Sequence, residues 1–299
     1  VYFSKGEYDE AIKCYLKAIG INPNHVYYTN IGDSFRNKEN LDRAILYYEE
    51  AIRSNPDYDP AYNSLGFTYY SKRDYSSAIK HYEKALSINS GNFIYFSNLG
   101  DAYSASEMWD EAIENYEKAI KINPDDDLSY NGLGNAYFGM GLYTKAIEQY
   151  EKAKNIKPDE YPVYYSNIGD ANRRLRRWDN AIEYYEIAAK KATDIDPEDK
   201  RYYKSLGLAY NDRGVEYYQN REDDKAIRDY KKALEEYKKA LETISEDRDY
   251  TVIHHNLYLV YNDKGMYKEA EESLREVIKL DPNNLTYIEE LKQIKAKRS

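Results

Sequence analysis

The sequence is poor in several residue types, and each shortage excludes a class of structure. A single cysteine, Cys14, among 299 residues excludes an intramolecular disulfide and any multi-cysteine metal site. No apolar run approaches the ~20 residues that a membrane-spanning helix needs. Only 2 tryptophans and 6 phenylalanines stand against 37 tyrosines. The aromatic volume of the core must therefore come mainly from a side chain with a polar tip.

The chain also lacks a surplus of positive charge. Its 43 basic and 53 acidic residues give a net charge of −10, whereas broad binding to nucleic acid or to anionic membranes needs a cationic surface. We therefore expect no nucleic-acid partner and no membrane insertion. The first residues, VYFSKGEYDEAIKCY, do not form a signal peptide. Because they start in the middle of a repeating pattern, we expect the native N-terminus to lie upstream. Separately, we expect the protein to be cytoplasmic.

The clearest pattern is a repeated unit, best seen in the segment DLSYNGLGNAYFGMGLYTKAIEQYEKAKNIKP from Asp127 to Pro158. Small and aromatic residues recur there at helical spacing, on one face of each of two helices separated by a short break. The final proline closes the unit because it cannot continue a helix. The residues of the pattern are Tyr130, Leu133, Gly134, Tyr137, Ala146, Tyr150 and Ala153.

The unit recurs with a nearly constant period. An alanine on the core face of each second helix returns at intervals of 33, 34, 34, 34 and 35 residues, and a glycine of each first helix keeps the same period. We expect both positions to be small because neighbouring helices cross there in a densely packed core. These positions are Ala11, Ala44, Ala78, Ala112, Ala146 and Ala181, with Gly32, Gly66, Gly100, Gly134 and Gly169.

This spacing resembles the tetratricopeptide repeat, W-x2-L-G-x2-Y followed by A-x3-F and P, with Tyr in place of both the Trp and the Phe. The resemblance implies an all-α protein, a right-handed α-α superhelix (solenoid) of helix-turn-helix repeats whose first helices line a concave groove. It implies a protein-interaction scaffold or adaptor that binds an extended peptide or a partner helix there, without a cofactor and without catalysis. Two alternatives stay open. One is a substrate-recruiting arm of a larger enzyme or sensor, as in some glycosyltransferases, and the other is a self-assembling repeat protein, although we favour a monomer.

We expect one solenoid over residues 1–299. Its parts are a partial repeat at 1–24, regular repeats at 25–58, 59–92, 93–126, 127–161 and 162–199, an elongated repeat at 200–250, a degenerate repeat at 251–284, and a C-terminal capping or truncated helix at 285–299.

The elongated repeat has extra residues between its glycine and its core alanine. Gly207 and Ala233 are 26 residues apart where the other repeats have 12, an excess of 14. The apolar stripe continues at heptad spacing without interruption, which indicates longer helices. We predict a hairpin whose tip, near residues 220–224, projects beyond its neighbours at the edge where the turns within repeats lie. A loop insertion is the alternative, which a helix break within 210–218 would indicate.

Polar residues recur on the outward side of the first helices and predict a peptide-binding groove. One column is an asparagine ladder, whose amides can each donate and accept and so suit the backbone of an extended peptide. A second column of aspartate or asparagine follows just after the glycines. Ordinary solvent-facing helix positions are the alternative. The two columns are Asn30, Asn98, Asn167 and Asn256, and Asp33, Asp101, Asn135 and Asp170.

Aromatic and basic residues on the same faces add candidate contacts. Phe67, Tyr70 and Phe138 are predicted to form pockets for partner side chains, with ordinary packing as the alternative for Tyr70. Arg173 and Arg174 are predicted to form a basic patch in the groove, suited to carboxylates or phosphates.

Two other functions are disfavoured. The family's carboxylate clamp, which grips chaperone C-termini, needs lysines on the first helices. Those positions hold Thr29, Asn63, Ser97, Asn131 and Ser166, with Val26, Pro60, Ile94 and Leu128 further up. Catalysis and metal binding also lack support. Of the histidines, His254 and His255 are adjacent and point to different faces of a helix, which spoils joint ligation, and we expect His254 to pack in the core.

Overall fold

The computed structural model describes residues 2–158, 161–240 and 248–298. Within these residues the protein is helical throughout, with sixteen α-helices and one short 3-10 turn at Phe3–Lys5. None of the helices in the described ranges combines the length and the apolar character that a membrane span requires. The helices form two compact units, Val1–Ile156 and Lys157–Ser299.

The first unit contains nine α-helices within its described part. After the opening helix they alternate as first and second members of antiparallel pairs. They are α1 (Tyr8–Ile21), α2 (His25–Asn37), α3 (Leu41–Ser54), α4 (Asp59–Ser71), α5 (Tyr75–Ile88), α6 (Phe93–Ala105), α7 (Trp109–Ile122), α8 (Asp127–Gly139) and α9 (Tyr143–Ile156).

Each pair in this unit is held by a glycine of the first helix that packs against a buried tyrosine of the second. Tyr150 is 2% exposed, and a Cβ added to Gly134 would lie 2.5 Å from its Cε1 atom. The helices can approach this closely only where the first helix lacks a side chain. The other pairs of this kind are Gly32 with Tyr48, Gly66 with Tyr82, and Gly100 with Tyr116.

The second unit contains seven α-helices within its described part. They are α10 (Pro162–Arg174), α11 (Trp178–Ile195), α12 (Arg201–Gln219), α13 (Asp223–Ala240), α14 (Arg248–Asp263), α15 (Tyr267–Leu280) and α16 (Leu285–Arg298).

The elongated hairpin of this unit consists of α12 and α13. Helix α12 has 19 residues and runs without a break through 210–218, so the alternative of a loop insertion is wrong. Two glycine–tyrosine crossings hold the hairpin together. Gly214 lies against Tyr230, with the same 16-residue separation as Gly134 and Tyr150, and Gly207 lies against Tyr237 one heptad further from the turn.

The added length of this hairpin therefore lies at the end away from its turn. Five residues separate Gly214 from the last residue of α12, the same as between Gly134 and the last residue of α8. The preceding helix, α11, is lengthened at the same end, where Ala192 is buried. The prediction of a tip projecting at the turn edge is wrong, because the heptad stripe permitted two registers and the crossing at Gly214 selects the regular one.

A buried ion pair braces the hairpin. The carboxylate of Asp229 is fully buried and accepts hydrogen bonds from Arg213 Nε at 2.6 Å and Nη2 at 3.1 Å. Arg213 also donates to the exposed Asp179 of α11. The guanidinium thus joins three successive helices of the second unit.

The last helix, α16, packs on the pair before it. Ile294 is 1% exposed in the core of the second unit, and Arg298 Nη1 lies 2.6 Å from a carboxylate oxygen of Glu271 on α15. His255 Nε2 of α14 lies 3.1 Å from Glu290 Oε2 of α16. Lys297 Nζ also donates to Asn262 Oδ1 of α14 at 2.9 Å, whereas Lys292 and Lys295 are exposed.

Candidate functional site

The predicted asparagine ladder lies on first helices, and its members are partly exposed. Asn98 Nδ2 of α6 donates to Asn63 Oδ1 of α4 at 2.8 Å. Asn256 Nδ2 of α14 donates to Asn211 Oδ1 of α12 at 3.0 Å. These bonds fix the orientation of the amides, and an amide that has made one of them keeps further donor and acceptor capacity. Asn30 and Asn167 lie at the same helical position on α2 and α10.

The second predicted column has a structural contact that the sequence reasoning missed. Each of its four members accepts a hydrogen bond from the hydroxyl of the tyrosine that packs under the neighbouring glycine. The buried hydroxyl thereby finds a partner. The signal was present as a constant separation of 15 residues between acceptor and donor. The bonds are Tyr48 to Asp33 at 2.8 Å, Tyr116 to Asp101 at 2.6 Å, Tyr150 to Asn135 at 2.8 Å, and Tyr185 to Asp170 at 2.6 Å.

The three predicted aromatic contacts differ in their surroundings. Phe67 is 42% exposed, and the guanidinium of Arg36 lies 5.0 Å from its ring centre. Tyr70 packs on the α5–α6 core beside Tyr75, as the packing alternative for it states. Phe138 makes an edge-to-face contact with Tyr143, the first residue of α9, with ring centres 5.2 Å apart. Phe67 is therefore the most exposed of the three side chains.

The predicted basic patch is partly neutralised. Arg173 Nη1 forms an ion pair at 2.9 Å with Asp212 of α12, and the side chain is about one quarter exposed. Burial raises the pKa of the nearby Asp170 carboxyl, while the Tyr185 hydroxyl, Arg173 and Arg174 act in the opposite direction. Arg174 is exposed. The local excess of positive charge is thus smaller than the sequence indicates.

A cavity of about 260 Å³ opens between the neighbouring first helices α6 and α8, and three of the predicted residues meet there: Asn98, Asp101 and Asn135. Sequence reasoning missed the other members. Two had no assigned role, Asp126 and Gly132. Ser97 and Asn131 were named only as positions that lack the clamp lysines, and Ile94 and Leu128 only as positions further up the same helices. Phe93 completes the lining.

The carboxyl of Asp101 has an altered protonation equilibrium in this cavity. The residue keeps an exposed side toward solvent, while the cavity walls displace water from its carboxyl group. This burial raises its pKa to about 6, the hydrogen bond from Tyr116 lowers it, and the charge of Asp126 adds to the rise. The cavity therefore holds two carboxyl groups, and the charge of Asp126 disfavours the ionisation of Asp101.

The histidines are separate from this cavity. His254 lies at a core position against Tyr250, with ring centres 4.7 Å apart. Burial lowers its pKa to about 4, and both ring nitrogens are buried without a hydrogen-bond partner in the part of the chain that the structure describes. The expected packed histidine is what the structure shows.

Antiparallel helix pairs repeated around glycine–tyrosine crossings define a helical-repeat protein. A model of the TPR repeat matches residues 32–72 and 100–141. Models of the tetratricopeptide repeat match residues 1–25, 60–92, 128–160, 167–242 and 253–284. The chain belongs to the tetratricopeptide repeat family, as the residue spacing predicted. Repeats of this family are generally non-catalytic modules for protein interaction.

Solved structures show the same fold. A MamA protein is 30% identical to this chain; the match spans 56% of this chain and 91% of the MamA chain, with a TM-score of 0.50. The C-terminal part of a TPR repeat-containing protein from Cytophaga hutchinsonii is 19% identical, with 97% and 96% covered and a TM-score of 0.53. A chain of the APC/C hetero-tetramer Cut9–Hcn1 is 18% identical, with 98% and 54% covered and a TM-score of 0.53. No protein with a curated description matches this chain.

Proposed function

We propose that this protein is a scaffold or adaptor that binds an extended peptide, or an extended segment of a partner protein, along the exposed faces of its first helices. The observation that carries the proposal is the cavity between α6 and α8, where ladder and column residues meet at an open surface. Membership of a family of protein-interaction modules supports it. The proposal keeps the repeat boundaries predicted from the sequence.

The chemistry of the face suits a peptide backbone. A peptide bond presents one donor and one acceptor per residue, and an asparagine amide can serve both. Asn98 is already oriented by its bond to Asn63, so less side-chain freedom is lost when a peptide binds. Recognition through backbone groups tolerates many side chains. We therefore expect the asparagine ladder by itself to bind extended peptides of many different sequences.

The proposal is tested with a library of extended peptides on beads, presented to the intact chain and to a double variant, Asn98→Ala with Asn167→Ala. These substitutions remove one ladder amide from each unit. Binding of most peptides should fall while the far-UV circular dichroism stays unchanged. If the double variant binds the library as strongly as the natural chain does, the groove hypothesis is wrong.

A matched control removes two amides elsewhere. Asn155 of α9 and Asn180 of α11 are exposed on second helices, so Asn155→Ala with Asn180→Ala changes composition by the same amount. This control should bind the library as the natural chain does. An equal loss in both double variants would contradict the assignment of the site to first helices.

A further inference from the structure

The cavity between α6 and α8 has two chemically different parts. Its outer walls include Ile94 and Leu128, whose side chains are 48% and 57% exposed. Its polar part includes Asp101, Asp126 and Asn131, and none of its lining residues is basic. The combination is an apolar entrance beside a pair of carboxyl groups that have no cation among the residues lining the cavity.

One residue that lines the cavity is a glycine. Gly132 occupies the ladder position at which Asn98 stands on the preceding first helix. A Cβ added to Gly132 would come within 2.6 Å of Tyr116 Cζ, so the buried tyrosine ring packs directly against the backbone there. The repeat that looks most regular in sequence thus presents no ladder side chain to the cavity.

The two carboxyl groups are held by bonds that use only part of their capacity. Asp101 Oδ1 accepts from the Tyr116 hydroxyl at 2.6 Å. Asp126 caps α8, and its Oδ2 accepts from the backbone N–H of Ser129 at 3.1 Å. An ionised carboxylate offers about four acceptor sites on its two oxygens. Both side chains are therefore positioned by the fold while retaining acceptor capacity toward a ligand.

We propose that this cavity is a specificity pocket for a lysine or arginine side chain of the bound peptide. The aliphatic stem lies along Ile94 and Leu128, and the cationic head binds Asp101 and Asp126. Long basic side chains commonly cover apolar surface with their stems in this way. The positive charge offsets the repulsion between the two carboxylates, which a neutral or acidic side chain cannot do. This inference rests on the proposed peptide-binding function and adds the class of residue that the peptide carries.

The test uses acetylated, amidated peptides of random sequence with one fixed central residue: lysine, arginine, norleucine or glutamate. Binding of each pool to the natural chain is measured by fluorescence anisotropy at pH 7.5 and at low and high salt. Lysine and arginine pools should bind about tenfold tighter than the norleucine pool at low salt, which is the size of one charge-assisted hydrogen bond. The difference should shrink at high salt.

The variant that removes the pocket's charge is Asp101→Asn with Asp126→Asn. The chain itself shows that asparagine serves both structural roles. Asn135 accepts the Tyr150 hydroxyl, and Asn92 caps α6 by accepting from the N–H of Ile94 at 3.0 Å. The double variant should therefore fold normally, bind the norleucine pool as the natural chain does, and lose the preference for lysine and arginine.

A control with the same change in net charge is Glu111→Gln with Glu117→Gln on the exposed side of α7, which should keep the preference. If all pools bind the natural chain equally, the pocket assignment is overturned while the proposed function stands. If the preference persists without Asp101 and Asp126 charges, the assignment is likewise overturned. If no pool binds at all, the proposed function and the inference fall together.

Discussion

The glycine–tyrosine crossings predict that replacing glycine with alanine changes the free energy of unfolding in opposite directions at two helical sites. In Gly134→Ala, the new methyl group would lie 2.5 Å from Tyr150 Cε1 and 2.6 Å from Cδ1. The tyrosine is 2% exposed and its hydroxyl donates to Asn135 at 2.8 Å, so the ring has no free space to move into. In Gly20→Ala, near the end of α1, no atom lies within 4 Å of the new group.

The magnitudes follow from these surroundings. Overpacking a core by one methyl group costs about 1–3 kcal/mol, and displacing the ring far enough to break its hydrogen bond costs about another 1 kcal/mol. We expect Gly134→Ala to lower the free energy of unfolding by about 2–4 kcal/mol. Gly20→Ala gains helix propensity, with about 1 kcal/mol as the upper limit because the site lies at a helix end.

Urea unfolding followed by far-UV circular dichroism measures both effects. Because repeat proteins can unfold in parts, the transition is recorded for each variant beside the natural chain, and midpoints are compared. A Gly134→Ala variant as stable as the natural chain would refute the packing reasoning, since it would mean that the crossing does not require glycine.

Three further predictions concern titratable groups. Asp229→Ala should destabilise the chain by about 3 kcal/mol in urea unfolding, because Arg213 is left with only its exposed partner; no loss would contradict a structural role for the pair. His254→Phe should stabilise the chain by about 1 kcal/mol at neutral pH, since it removes two buried nitrogens that have no hydrogen-bond partner among the described residues. The gain should grow as pH falls from 6.5 toward 4, because in this range the unfolded histidine is protonated while the native one stays neutral. A gain that does not change with pH would contradict a lowered pKa of His254. Asp101→Asn should stabilise the chain at pH 7.5 by less than about 1 kcal/mol, because the residue is partly exposed. That gain should decrease as pH falls below 6 and vanish near pH 3, where Asp101 is protonated in both the native and the unfolded state. A gain that persists at pH 3 would exclude a charge effect.

The fold was predictable because its main determinant is local in sequence. Glycine, alanine and tyrosine at fixed intervals specify where two helices cross, and Gly134 against Tyr150 is that pattern realised in space. The placement of the elongated hairpin was not predictable, because alanines at heptad spacing fit two registers and only the crossing of Gly214 with Tyr230 decides between them.

The candidate site was predictable in part. The outward positions of Asn98, Asp101 and Asn135 follow from helical periodicity. Their junction in one cavity does not, because it depends on how α6 and α8 pack side by side and on the cap of Asp126, which lies 25 residues from Asp101 in the sequence. The hydrogen bonds of the second column to core tyrosines were also missed, since outward polar residues were interpreted only as ligand contacts or as solvent-facing positions.

The central claim is that peptides bind the face of the first helices, and site-specific photocrosslinking tests it most directly. p-Benzoylphenylalanine is placed at Leu128 in the α6–α8 cavity, and in a second variant at Leu46 of α3, which is 60% exposed on a second helix. Irradiation with the lysine pool should label the chain at position 128 and leave the variant at position 46 unlabelled. Equal labelling at both positions, or labelling at position 46 alone, would contradict the account.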